Sequence, residues 1–219
     1  MFHKSFAFVS DFDGTLTEKD FYKMIIDDYL GDKGRTIYEE WREGLHEDQA
    51  FLETIYSSIN LEESKILEDI ENLKWDESAT QFIQRIEKVG GTFIILSGGT
   101  SYYIEPFLKA KGLSHIQVYA HPGIYKNKGI HLQIDKKSPY YSEKYGMDKA
   151  KVLLDLKKHY PKVYYAGDSA TDLPACQVAD LAFAKGKLQD LLTSEGTPFI
   201  PFDRFHDILL TFIQKDLLN

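Results

Sequence analysis

Apolar runs recur along the chain, and each of the clearest stops at a polar cluster with chemical capability. Phe6-Ala7-Phe8-Val9 leads to Asp11-Phe12-Asp13-Gly14-Thr15, and Thr92-Phe93-Ile94-Ile95-Leu96 leads to Ser97-Gly98-Gly99. Val163-Tyr164-Tyr165-Ala166 leads to Gly167-Asp168, and Leu181-Ala182-Phe183-Ala184 to Lys185-Gly186. Short continuous apolar runs bounded by such signals predict strands buried on both faces. Between them the period becomes helical: Ala79, Phe82, Ile83 and Ile86 fall at i, i+3, i+4 and i+7, and Val152, Leu153 and Leu156 mark another helix. The alternation predicts an α/β fold, a parallel sheet flanked by helices, which binds ligands beyond the carboxyl ends of its strands. The polar clusters are expected to converge there.

Residues from about Phe21 to Asn72 interrupt the alternation. Phe21, Met24, Ile25 and Tyr29, then Phe51, Leu52 and Ile55, then Leu61, Ile66, Leu67 and Ile70 read as consecutive helices without a strand. The expected organisation is therefore a core of residues 1–17 and 76–219 with a helical insert over 18–75. Turn signals at Pro122-Gly123 and Lys126-Asn127-Lys128-Gly129 predict a β-hairpin near 118–134, assigned to the core.

Charge sharpens this picture. The 219 residues carry 34 acidic and 26 basic side chains, a net charge of −8, which argues against nucleic acid as a partner. Most of the excess lies in the insert, since Asp11 to Glu77 holds 20 acidic and 7 basic residues. Lys109 to Lys158 is basic, with 11 against 4; this is a solvated face or a means of steering an anionic substrate. The single cysteine, Cys176, cannot form an internal disulfide, and no stretch fits a membrane span, so a reducing cytoplasmic setting is expected.

The clusters themselves carry the chemistry. Asp11 and Asp13 stand two residues apart directly after a buried strand, where their anions stay ionised together only beside a cation or with one protonated. That pattern points to a metal site, an acid/base pair, or both. Ser97 and Gly98 offer a hydroxyl and flexible backbone N–H groups suited to an oxyanion. Asp168 and Asp172 add carboxylates at a third strand end, and a set of oxygen donors alone favours Mg²⁺.

In this order and at these strand ends the residues resemble the haloacid dehalogenase superfamily of phosphotransferases. Asp11-Phe12-Asp13-Gly14-Thr15 looks like its first motif, Ser97 in Ile95-Leu96-Ser97-Gly98-Gly99 its second, Lys149 its third, and Gly167-Asp168 with Asp172 its fourth. Family spacing favours Lys149 over Lys144 or Lys151. The resemblance implies phosphoryl transfer through an aspartyl-phosphate, with Asp11 as nucleophile and Asp13 as general acid and then base. It implies Mg²⁺ held by the Asp11 carboxylate, the Asp13 carbonyl and Asp168, with Asp172 in support, while Ser97, Gly98 and Lys149 bind the phosphate. The insert corresponds to the small helical cap of the phosphoserine phosphatase-like branch. Ser97-Gly98-Gly99-Thr100-Ser101-Tyr102-Tyr103 and Gly167-Asp168-Ser169-Ala170-Thr171-Asp172 look like the methionine-salvage branch, whose substrate is an enol phosphate.

The implied function is a phosphatase acting on a small phosphorylated metabolite, as a monomer or homodimer. Alternatives are a phosphoserine or other amino-alcohol phosphate phosphatase, a phosphomutase, and a catalytically silent binding module. Asp20 stands where phosphoserine phosphatases carry a Glu for the substrate amine, and either binds an ammonium or caps the first helix of the insert. Arg42 and Arg35 are candidates for a substrate carboxylate. His121, in Ala120-His121-Pro122, reads as a turn residue.

Overall fold

A computed structural model describes residues 6–218. In chain order the strands and α-helices are β1 (Ala7–Ser10), α1 (Phe21–Ile25), α2 (Asp32–Arg42), α3 (Asp48–Ser57), α4 (Glu63–Glu71), α5 (Ser78–Lys88), β2 (Thr92–Thr100) and α6 (Ser101–Ala110). They continue as β3 (Gln117–His121), β4 (Gly123–Lys126), β5 (Gly129–Leu132), β6 (Tyr141–Ser142), β7 (Gly146–Met147), α7 (Lys149–Leu156) and β8 (Val163–Gly167). The last are α8 (Leu173–Val178), β9 (Leu181–Ala184), α9 (Lys187–Ser194), β10 (Ile200–Pro201) and α10 (Phe205–Gln214).

Six strands form one sheet in the order β10-β9-β8-β1-β2-β3. β1 lies at its centre, parallel to β2 with Ser10 opposite Ile95 and parallel to β8 with Ser10 opposite Ala166. Strands so placed are screened on both faces, and all four residues of β1 are buried, as are the five of β8. The expected parallel α/β sheet is thus what the chain forms, with β2 and β3 added on one side of β1 and β8, β9 and β10 on the other, and such a reversal of strand order opens a crevice at the strand ends.

The chain divides into two compact units. The first comprises the residues up to Glu18, Trp75–Leu96 and Lys149 onward. Its core is aromatic: Phe8 meets Phe82 edge-on at 4.7 Å between centroids and stacks with Phe93 at 5.7 Å, and Phe212 packs edge-on against Phe82 at 5.3 Å. Asp76 ties three segments of this unit together. One carboxylate oxygen accepts from the Ser78 N–H and hydroxyl at 3.0 and 2.6 Å, ahead of α5, and the other from the Phe205 N–H at 2.5 Å, at the start of α10. Its own N–H donates to the Leu16 carbonyl at 2.9 Å.

The second unit comprises Lys19–Lys74 and Ser97–Asp148. Residues 118–134, expected with the core, pack here with the helices of the insert. Glu53 of α3 accepts from the Leu132 N–H at 2.7 Å and bonds the His131 ring at 2.8 Å, while Leu61 donates to the Lys128 carbonyl at 3.1 Å. Phe21 stacks on Tyr103 at 4.3 Å. The hairpin itself is β4–β5, closed by Asn127 and Lys128 with φ of 52° and 62°. Two successive positive φ values match the right-handed twist of the strands they join.

Candidate active site

In the first unit, β1 and β8 release their next residues side by side. Asp11 donates its N–H to the Ala166 carbonyl at 2.9 Å, and its side chain is buried. Lys149, the first residue of α7, extends Nζ to Asp11 Oδ1 at 2.7 Å and to Asp172 Oδ1 at 2.6 Å. Lys149 is 3% exposed, whereas Lys144 and Lys151 are exposed. Asp172 is saturated with donors. Its Oδ1 also accepts from the Tyr165 hydroxyl at 2.6 Å, and its Oδ2 accepts from the N–H groups of Asp168 and Ser169 at 3.0 Å and the Ser169 hydroxyl at 3.2 Å.

These contacts set the charges. Burial pushes the Asp11 carboxyl well above the usual range, the Asp172 anion pushes it further, and the Lys149 ammonium opposes both. Burial acts the same way on Asp172, but Lys149 and the Tyr165 and Ser169 donors outweigh it and hold that carboxyl low. Burial disfavours the Lys149 charge, yet Asp11 and Asp172 more than offset it, so the lysine stays protonated. Tyr165 is held neutral by burial and the adjacent Asp172 anion, which makes it a dependable donor.

Gly14 and Thr15 fit the turn after β1 to Asp168. Gly14 has φ of 74°, and a Cβ there would lie 2.7 Å from Asp168 Oδ2. The Thr15 hydroxyl donates to Asp168 Oδ1 at 2.9 Å, and its carbonyl accepts from Lys185 Nζ at 2.9 Å. One carboxylate oxygen from each of Asp11, Asp168 and Asp172 falls within 4.8 Å of the others. Such a cluster of hard oxygen donors fits a small divalent cation.

The structure thus brings Asp11, Lys149, Asp168 and Asp172 together, and places Asp13 half-buried in the turn after β1. Ser97 and Gly98 begin the second unit's part of β2; Ser97 is buried, and its hydroxyl accepts from the Gly99 N–H at 3.0 Å. Also in the second unit, Asp20 lies ahead of α1, makes no capping hydrogen bond with its side chain, and pairs with Lys23 one turn on. Arg35 pairs with Asp32 at 2.6 Å, and Arg42 is exposed at the end of α2. Sequence reasoning passed over Tyr165, and it marked Lys185 only as part of a polar cluster after a strand, without a role.

The family model for haloacid dehalogenase-like hydrolases matches residues 8–177. The chain belongs to this family. Among curated haloacid dehalogenase-like relatives, a 2-hydroxy-3-keto-5-methylthiopentenyl-1-phosphate phosphatase of Microcystis aeruginosa is 29% identical, over 94% of this chain and 97% of its own. One of the same name from Bacillus cereus is 27% identical, over 90% and 91%. Among solved structures, a substrate-bound phosphoserine phosphatase complex superposes with a TM-score of 0.71 at 19% identity, over 95% of this chain and 98% of its own. Phosphoserine phosphatase in apo form gives 0.69 at 18% identity, over 94% and 98%. This haloacid dehalogenase-like chain is an enzyme of the phosphatase class, and among its described residues no helix is long and apolar enough to cross a membrane.

Proposed function

We propose that the protein is a Mg²⁺-dependent phosphomonoesterase that works through an aspartyl-phosphate on Asp11 and releases inorganic phosphate from an enol phosphate of the kind named for its curated relatives. The observation that carries this reading is the Lys149 ammonium held between Asp11 and Asp172 at 2.7 and 2.6 Å. Burial and the Asp172 anion push the Asp11 carboxyl up and Lys149 opposes them at Oδ1, which makes Oδ2 the attacking oxygen in this reading. Asp172, fully bonded, fixes the lysine and is a positioning residue.

In the first step an Asp11 oxygen forms a bond to phosphorus as the ester P–O bond breaks, and Asp13 gives its proton to the leaving oxygen. In the second, Asp13 takes a proton from water, the hydroxide attacks phosphorus, and phosphate departs with Asp11 restored. Ser97, the Gly98 N–H and Lys149 are the donors to the phosphoryl oxygens. The Asp11 and Asp168 carboxylates and the Asp13 carbonyl would hold Mg²⁺, which when bound supplies the positive charge that lets a phosphate dianion approach these carboxylates. The insert over 18–75 acts as the cap that selects the leaving group. Asp20 already has Lys23 as its cation, which favours the enol phosphate over phosphoserine. Arg42 remains the cap residue that could meet a second anionic group.

The test is phosphate release from 2-hydroxy-3-keto-5-methylthiopentenyl-1-phosphate, phosphoserine and a set of sugar phosphates, each with Mg²⁺ and with excess chelator. Metal-dependent release, preferring the enol phosphate and lost at least about 10³-fold in Asp11→Asn, is the expected result. Turnover surviving Asp11→Asn overturns the mechanism, and appearance of a second phosphosugar in place of free phosphate makes the enzyme a mutase.

A further inference from the structure

We propose that His121 and Gln49 form the polar contact that reads the hydroxy-keto portion of the substrate, an inference that rests on the phosphatase reading above and adds residues it does not use. His121 ends β3 and is 7% exposed, and its Nε2 is buried without a hydrogen-bond partner. A buried ring nitrogen left unpaired costs about 1–3 kcal/mol relative to a paired one, so a site that keeps one has a use for it. Burial also holds the imidazole pKa below its ordinary value, so the ring is neutral near pH 7 and offers one donor and one acceptor.

Beside Nε2, position 146 admits only a glycine. Gly146 has φ of 76°, and a Cβ there would stand 2.9 Å from Nε2 and 3.1 Å from the Gln49 side chain. Gln49, on α3 of the insert, spends its amide N–H on the Ser142 carbonyl at 3.1 Å, which leaves Oε1 as an acceptor. The neighbouring Tyr145 carbonyl lies 4.0 Å from the Cβ position of Gly98. Within one compact unit, the unpaired nitrogen is therefore one residue removed from the backbone facing the proposed phosphate donor Gly98.

A vicinal hydroxyl and ketone complement this pair. Nε2–H donates to the keto oxygen, which can only accept, while the hydroxyl donates to Gln49 Oε1. In the other tautomer Nε2 accepts from the hydroxyl. Phosphoserine presents a charged amine and carboxylate instead, which a neutral imidazole and an amide recognise poorly.

The experiment compares kcat/KM for the hydroxy-keto enol phosphate with that for phenyl phosphate, which has neither group. His121→Phe keeps the ring shape without nitrogen, and the ratio should fall at least about 10-fold; His121→Gln, which places an amide where Nε2 stood, should recover part of it. Gln49→Leu should lower the same ratio less. An unchanged ratio in His121→Phe, including equal loss on both compounds, overturns the proposal. A second readout is the imidazole ¹⁵N signal of His121 in wild-type protein titrated with dihydroxyacetone phosphate and with inorganic phosphate. A shift with the first alone supports the contact even if wild type hydrolyses neither ester, an outcome that would sink the phosphatase reading only; no shift with either overturns it.

Discussion

Asp172 in the first unit and His121 in the second are both buried and titratable, and they stand in opposite conditions. Asp172 accepts from Lys149, Tyr165, Ser169 and two backbone N–H groups, whereas His121 Nε2 has no partner. A saturated carboxylate cannot rotate without losing several charge-assisted bonds at once, so the lysine it holds is set before any ligand arrives. The unpaired imidazole carries a cost that only an incoming polar group repays. On the proposed function, the first belongs to the part that fixes where bonds break and the second to the part that decides what is bound.

Breaking the first side of this comparison has the largest effect. Lys149→Met leaves Asp11 and Asp172 facing each other without their cation, and we expect turnover to fall about 10²–10³-fold and stability to drop by about 3 kcal/mol. Steady-state kinetics with a urea titration checks both, and near wild-type kcat would show that Asp11 does not need this lysine. Gly14→Ala follows. Its methyl would enter Asp168 at 2.7 Å from a residue with φ of 74°, displacing the carboxylate assigned to Mg²⁺. The Mg²⁺ concentration for half-maximal rate should rise about 10-fold or more, since small misplacements of a catalytic group are costly. A variant that is less stable but keeps its Mg²⁺ dependence would remove Asp168 from the metal site.

The parts legible in the sequence are those whose signal is local. Asp11 and Asp168 stand out because charge follows at once on a buried run, and the sheet order places the ends of β1 and β8 together; Ser97 stands out in the same way, although β2 continues through it to Thr100. Lys149 was not legible that way: on periodicity it is one lysine among several in a basic stretch, and only the family spacing singled it out. Tyr165 looked like any strand residue, because the apolar run conceals that its hydroxyl serves Asp172. His121 read as a turn before proline, whereas it ends a strand and is buried by segments remote in sequence. The hairpin itself was visible in its turn residues, but its attachment to the insert depends on Glu53, a polar residue on a helix face with nothing to mark its partner.

Asp76 gives the smallest effect and the sharpest contrast with Asp172. It too is a carboxylate in the first unit satisfied by N–H and hydroxyl donors, but it meets no group of the reaction and joins α5 to α10 instead. Burial raises its pKa, while the Ser78 donors, the Phe205 N–H and Arg204 outweigh that and depress it below the ordinary 3.8. A depressed folded-state value means that the ionised form stabilises the fold above the unfolded pKa, and that this contribution is lost as pH falls through the folded value. Asp76→Asn should therefore cost about 1–2 kcal/mol at pH 7, with kcat within about 2-fold of wild type. The stability gap between the two proteins should close as pH falls below about 4. A gap that persists at pH 2 would mean that Asp76 acts by shape rather than charge. A large loss of kcat at pH 7 would mean that the frame joining α5 to α10 and the geometry around Asp11 are one cooperative unit.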